Sequence, residues 1–227
     1  MTKQKLRTKI IFMAAAWCLS ILVFGCPAIC SGDMQNDVDQ AVTVIERFQE
    51  IPEKSIPAAV LKKARGLAIL TIGKAGFIFT GRAGTGIVIA RAGKGWSGPS
   101  AIGTGGVGFG FQAGAQITEF VVILNTPKAV QAFSQGGNVS LGTDLSVSAG
   151  PVGRDTALDV MPLAAVYTYS RSQGLFAGIS LEGTVLATRN DANKTYYGKK
   201  VKASDILAGK AKAPAGAQKL MKLLSKY

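Results

Sequence analysis

The chain has no histidine. That absence removes every Ser-His-Asp or Cys-His catalytic device and every His-ligated metal site. Its three cysteines, Cys18, Cys26 and Cys30, all lie in the first thirty residues. Neither a disulfide framework nor a Cys-rich zinc site can therefore form in the body of the protein. Acidic residues are few, 13 against 26 Lys and Arg, and charged residues are only 17% of the total. With a positive mean hydropathy, so low a charge content excludes a disordered chain. Apolar residues (48%) and glycine (28 of 227 residues) are abundant, at a length that supports one well-buried domain.

The amino terminus reads as an address. Lys3, Lys5, Arg7 and Lys9 precede an uncharged apolar run from Ile10 to Phe24. At fifteen residues this run is shorter than the about 20 that a membrane-spanning helix needs. A basic start, an apolar centre and a small-residue exit make residues 1–30 a secretory signal peptide. Val23-Phe24-Gly25-Cys26 resembles a bacterial lipobox, in which Cys26 is acylated and becomes the new amino terminus. Cleavage after Cys30 is the competing reading. Either way the expected location is exported and periplasmic, with a lipid anchor on an envelope membrane if Cys26 is acylated.

Without that segment, residues 31–227 carry 22 basic and 13 acidic groups. Nine of the lysines lie in 194–227, beside the single acid Asp205, whereas 31–193 is close to neutral. The basic character belongs to the tail, which argues against a general nucleic-acid-binding surface.

Hydrophobic spacing predicts an amphipathic helix over 34–49, closed by Pro52, and a short second helix from Ser55-Pro57 to Ala64. The period then changes. Short strands are expected at 68–72, 77–80 and 87–90, with turns at Gly73–Gly76 and Gly93–Gly95. Fifteen of the glycines fall between Gly66 and Gly114, a density that suggests bulges, bends or close backbone approach. Phe120–Leu124 is continuously apolar and predicts a central, doubly covered strand. Thr126-Pro127 starts a helix through Phe133. Val139–Ala149 alternates as a half-buried strand, Arg171–Gly174 reads as a hairpin turn, and short helices are expected over 205–208 and after Pro214. The predicted class is β-dominated α+β: a glycine-rich antiparallel barrel or sandwich with helices at both ends, in one domain over 34–227.

Reactive chemistry is hard to find. Gly103–Gly108 matches G-x-G-x-x-G literally, but a dinucleotide site needs a helix to follow, and Phe109–Gly114 is a poor helix. No P-loop occurs, and Ser180 misses the G-x-S-x-G spacing. Nothing in the spacing of Glu119, Asp144, Asp155, Asp159 and Glu182 brings two carboxylates together. No enzyme, cofactor or metal is expected.

An ordered series of motifs runs through the body. Lys62-Lys63-Ala64-Arg65-Gly66-Leu67-Ala68-Ile69, Lys74-Ala75-Gly76-Phe77 and Gly84-Thr-Gly86-Ile-Val-Ile-Ala90-Arg91 open it. Trp96-Ser97-Gly98-Pro99-Ser100, Gly110-Phe-Gln-Ala-Gly114, Leu141-Gly142-Thr-Asp144 and Gly150-Pro151-Val-Gly153-Arg154 continue it. Tyr169-Ser170, Gly174–Gly183, Asn193-Lys-Thr-Tyr196-Tyr197 and Ala203–Leu207 complete it. From about residue 40 to the end the chain resembles the SYLF domain family, with Gly98 where Ala is usual and Glu119 where Asp is common. The resemblance implies lipid or membrane-surface binding without catalysis: eukaryotic members bind phosphoinositides, some also actin, and bacterial members are typically exported. The acids on the 34–49 helix oppose the use of that helix on an anionic membrane.

Three surfaces are candidates for anionic phospholipid or phosphoinositide-like headgroups. The first gathers Lys62, Lys63 and Arg65 beside Lys74, with Arg82 and Arg91 on neighbouring strands, since Lys and Arg match phosphate. A merely solvated surface is the alternative. The second is the lysine-rich tail, whose last helix either docks on the sheet or faces lipid. The third is Trp96, either inserting at headgroup level or packed at one end of the barrel. The expected function is non-enzymatic lipid binding in the bacterial envelope; the alternative is an envelope protein-interaction module with incidental lipid affinity.

Overall fold

A computed structural model describes residues 33–50, 55–151, 164–174, 181 and 184–227. Helix α1, Met34–Gln49, starts where Asp33 accepts a hydrogen bond from the Gln35 amide at 3.1 Å. Its bounds are those the spacing predicts, and Val38, Ala41, Val42, Ile45 and Phe48 form its buried face. Helix α2, Ala58–Lys63, follows.

Two strands then depart from the short-strand expectation. β1 is Gly66–Ala92 and β3 is Ser100–Leu124, 27 and 25 residues where about 5–6 is usual. The two-residue β2, Gly95–Trp96, pairs with the end of β1 across the predicted Gly93-Lys94 turn. β1 and β3 make one antiparallel ribbon from Gly66↔Leu124 to Val88↔Ser100, with a register shift between Phe77 and Phe79. Gly73–Gly76 is strand, not turn, because a full set of β3 partners holds it extended.

The ribbon bends back on itself at that shift. The Arg91 amide donates to the Arg65 carbonyl at 2.8 Å, and a Cβ on Gly86 would lie 2.1 Å from the Ile69 oxygen. Backbones this close admit glycine and nothing larger.

Helix α3, Pro127–Ser134, is capped by Thr126, whose hydroxyl accepts from the Ala129 amide at 3.1 Å. β4 (Asn138–Ser140) and β5 (Val147–Ala149) replace the single strand expected over Val139–Ala149. Between them Asp144 accepts from the Ser140 amide at 2.7 Å and turns the chain. β6 (Val166–Gly174) runs straight through the expected Arg171–Gly174 turn, paired with Gln116–Leu124. β7 (Val185–Thr188) pairs with β4 and with Ile102 and Gly103 at the start of β3. β5 lies parallel to β6, so the sheet is mixed rather than wholly antiparallel. Strands leave both ends of β3 and curl the sheet into a half-barrel flanked by helices.

Helices α4 (Asn190–Tyr197) and α5 (Ala203–Leu207) follow, then a 3₁₀ turn at Ala215–Ala217 and α6, Gln218–Leu224. Sequence spacing indicates no helix at α4. Leu67, Ile69, Ile87, Ile89, Val121 and Ile123 pack outward under α1 and α6. Leu70, Val88, Phe120, Val122 and Leu124 pack inward with Phe133 of α3 and Leu141. Phe120–Leu124 is thus doubly covered, as its unbroken apolar run predicts.

Candidate functional site

The carboxylates are spent on architecture. Asp37 of α1 accepts from Arg189 at 2.7 Å and from the Thr85 hydroxyl at 2.6 Å. Burial raises its carboxyl above the ordinary value, and Thr85 and Arg189 oppose that rise. Arg47 of α1 pairs with buried Glu119 of β3, and Glu50 after α1 meets Arg171 of β6 at 3.5 Å. Three arginine ion pairs therefore tie this helix segment to the sheet and to the start of α4. Asp144 caps a turn, while Asp155, Asp159, Glu182 and Ser180 lie outside the described residues. No group of Cys, Asp or Glu that could hold a metal occurs among the described residues. Gly103–Gly108 lies inside β3 with no helix behind it, so the dinucleotide reading fails on geometry.

The basic residues expected on one face are divided. Lys62, Lys63 and Arg65 are exposed at the end of the ribbon where it begins. Lys74 is nine residues from Arg65 along β1, about 30 Å at the usual rise per residue. Arg82 lies at the same bent end of the ribbon as Lys74, opposite Gly106. Arg91 is near Arg65 but is occupied: it donates to the carbonyls of Leu61 and Tyr227 at 3.4 and 3.1 Å. Its guanidinium also lies 4.0 Å from the Trp96 ring centre, and burial lowers its pKa.

Trp96 is 6% exposed and donates to the Leu224 carbonyl at 3.0 Å. The packed alternative is the observed one: Trp96 anchors α6, and insertion of this ring into a bilayer is corrected. The amino-terminal helix is equally engaged, since its apolar face is buried against the sheet. Cys26 lies outside the described residues.

The strongest basic surface is in the tail. All nine lysines of 194–227 are exposed, and among the described residues none takes part in an ion pair. Two shallow clefts, of about 510 and 480 Å³, adjoin there. Lys200 and Lys202 line both; Lys194 adds to the first, Lys199 and Lys210 to the second. Asp191 and Asp205 are the acids on their walls. Fully buried Asn193 places this shelf: its side chain accepts from the Ala101 amide at 2.8 Å and donates to Ser100 at 3.1 Å. Gly198, at φ 68°, then ends α4 in a left-handed turn that leads into Lys199–Lys202. Lysine count alone marks the tail; the clefts depend on α4, a polar helix held by buried Asn193 and by Tyr197.

Nearby, the Tyr197 hydroxyl donates to the Pro99 carbonyl at 2.9 Å. It also lies 2.3 Å from where a Cβ on Gly98 would be. The tyrosine thus fills the space that an alanine methyl needs at this position.

A bent ribbon held to α1 by arginine ion pairs, with lysine-lined clefts beside α4, gives an α+β half-barrel flanked by helices. Comparison with known proteins places it. The family model "Ysc84: Las17-binding protein actin regulator" matches residues 105–227. The chain is 45% identical over 203 residues to the human SH3 domain-containing YSC84-like protein 1, covering 86% of this chain and 59% of that protein. It is 46% identical over 201 residues to Protein YSC84 of Saccharomyces cerevisiae, covering 84% and 43% respectively. The chain thus spans well under two thirds of these relatives' length. No solved structure gives a significant match. The chain belongs to the Ysc84 family, the SYLF family of the sequence resemblance.

Proposed function

We propose that this protein is a non-enzymatic lipid-binding module of the bacterial envelope, exported by residues 1–30 and held there by acylation if Cys26 is the cleavage site. It recognises anionic, phosphorylated headgroups through basic side chains. The observation that carries this reading is the lysine shelf: exposed ammonium groups around two adjoining clefts, without ion-pair partners among the described residues. Each lysine near an anionic surface contributes about 1 kcal/mol, so three acting together raise the affinity for it by roughly 100-fold. Lys62, Lys63 and Arg65 supply a second, smaller basic patch.

The family's description as Las17-binding and actin-regulating favours a second reading, in which the same surface meets an acidic protein partner. Vesicle binding separates the two. Lys199→Glu, Lys200→Glu and Lys202→Glu combined should weaken binding to phosphatidylglycerol vesicles about 100-fold or more. Lys62→Glu with Arg65→Glu should weaken it less, with thermal melts unchanged in both. Equal binding by all three proteins would contradict the headgroup reading and leave the protein-partner reading standing.

A further inference from the structure

The second of the two lysine clefts has a neighbour distant in sequence. After α5 the chain turns at Gly209, whose φ of 75° is left-handed. A Cβ on Gly209 would lie 2.8 Å from the Ala92 Cβ, so this turn packs against the last residue of β1. Ala92 leads into the Gly93-Lys94 turn before β2, and Gly209 is followed by Lys210. Lys94 therefore stands beside the cleft that Lys199, Lys200, Lys202 and Lys210 line. It is exposed and takes part in no ion pair among the described residues. The loop beneath is held in place: the Lys210 and Ala211 amides donate to the Asp205 carbonyl at 2.9 and 3.3 Å, and Ala211 is buried.

The balance of charge sets the class of ligand. Lys94 and the lysines of this cleft stand against one carboxylate, Asp205, whereas the first cleft sets Lys194, Lys200 and Lys202 against Asp191. A phosphodiester such as phosphatidylglycerol carries one negative charge and is substituted on both sides, which keeps it in the plane of the bilayer surface. A phosphate monoester carries about −1.5 to −2 at pH 7 on three free oxygens. It also ends the headgroup, so it can enter a recess. Lysines suit that target as point charges on flexible stems with three donors each, and no arginine lines the cleft to impose a bidentate geometry.

We propose that this cleft, completed by Lys94 on the β1–β2 turn, holds a terminal phosphate monoester. The inference deepens the headgroup reading and rests on it: the tail lysines attract an anionic surface, and this site selects among its headgroups. Phosphatidic acid presents that chemistry on a lipid; glycerol 3-phosphate presents it free.

The test uses the full chain with phosphatidylcholine vesicles containing either phosphatidic acid or phosphatidylglycerol, the latter's fraction raised to match surface charge at each pH. Phosphatidic acid should bind at least about tenfold tighter at about pH 7.5. The preference should fade toward about pH 5.5 as the monoester loses its second charge. The chain has no histidine, the side chain whose ordinary pKa falls in that range. The charged groups around the ligand are those lysines and Asp205, with Lys194 and Asp191 in the adjoining cleft. The phosphatidylglycerol series reads any change in the protein itself. Lys94→Gln with Lys210→Gln should remove most of the preference with an unchanged melt. Lys222→Gln with Lys226→Gln takes the same charge from the tail outside the cleft and should leave the preference in place.

Titration calorimetry with glycerol 3-phosphate separates the two sources. Binding that Lys94→Gln with Lys210→Gln abolishes, without a vesicle preference, would keep the site and give it a free ester instead of a lipid. Equal binding to charge-matched vesicles with no glycerol 3-phosphate bound, or equal loss in the two double variants, would overturn the site and leave the headgroup reading intact. No binding to any vesicle would overturn the headgroup reading, and with no glycerol 3-phosphate bound either, the site falls too.

Discussion

The same two strands behave in opposite ways at their two ends. Near Gly66 and Leu124, the β1–β3 ribbon is packed on both faces, and Ile69, Leu70, Val121 and Val122 have almost no exposure. Near Phe77 and Val107, one face is open and apolar. Pairing and alternation are common to both ends, so strand propensity does not explain the difference. The covering layer does: α1 and its three arginine ion pairs end before the bend. Hydrophobic residues on a strand report that a face meets something apolar, not that the partner belongs to the same chain.

Substitutions at the two ends should sharpen this contrast, and the largest effect belongs to the covered end. Gly86→Val pushes a side chain into the Ile69 carbonyl, 2.1 Å from the Cβ position. It should cost more than about 4 kcal/mol or abolish folding, read as loss of a cooperative melt. Ile69→Ala, a cavity between sheet and α1, should cost about 2–4 kcal/mol in denaturant unfolding. Trp96→Phe removes the hydrogen bond to Leu224 and weakens the stack under Arg91; about 1–2 kcal/mol is expected, with vesicle binding unchanged.

A smaller effect depends on pH. The folded-state pKa of Asp37 is raised, chiefly by burial, so in the window above the ordinary carboxylate value the native state holds more protons than the unfolded one. Its contribution to stability therefore falls as pH rises through that window. Relative to Asp37→Asn, the parent should gain stability as pH drops from about 7 toward about 4, as measured by paired denaturant melts. At the open end, Phe79→Ser should shift stability by less than about 0.5 kcal/mol. A large loss there would show that the ring is part of the fold, and would remove the contrast.

Much of this contrast is legible in the sequence, but not its outcome. The α1 bounds follow from Val38, Ala41, Val42 and Ile45, and the doubly covered strand from Phe120–Leu124. The long ribbon does not: Gly73-Lys-Ala-Gly76 has turn chemistry, and only partner strands hold it extended. Val139–Ala149 alternates like one strand, yet the Asp144 side chain bonds back to Ser140 and breaks it in two. The lysines of the tail can be counted, but their clefts depend on α4, where hydrogen bonds from Asn193 replace the apolar spacing that marks a helix. Lys62 and Lys74 share a short stretch of sequence, yet Lys62 lies on α2 before the ribbon begins and Lys74 near the ribbon's bend. Trp96 beside a glycine-rich turn fits a bilayer as well as a core until the Leu224 carbonyl is seen to accept from it.

The most direct test of the central claim compares the full chain with its Lys199→Glu, Lys200→Glu, Lys202→Glu variant. Both are sedimented with phosphatidylcholine and with phosphatidylglycerol vesicles across a salt series. Headgroup recognition by the shelf predicts that the parent prefers phosphatidylglycerol, that the preference fades as ionic strength shortens the screening length from about 10 Å at 0.1 M, and that the variant loses most of it. Identical, salt-insensitive binding of parent and variant to both vesicle types would contradict it.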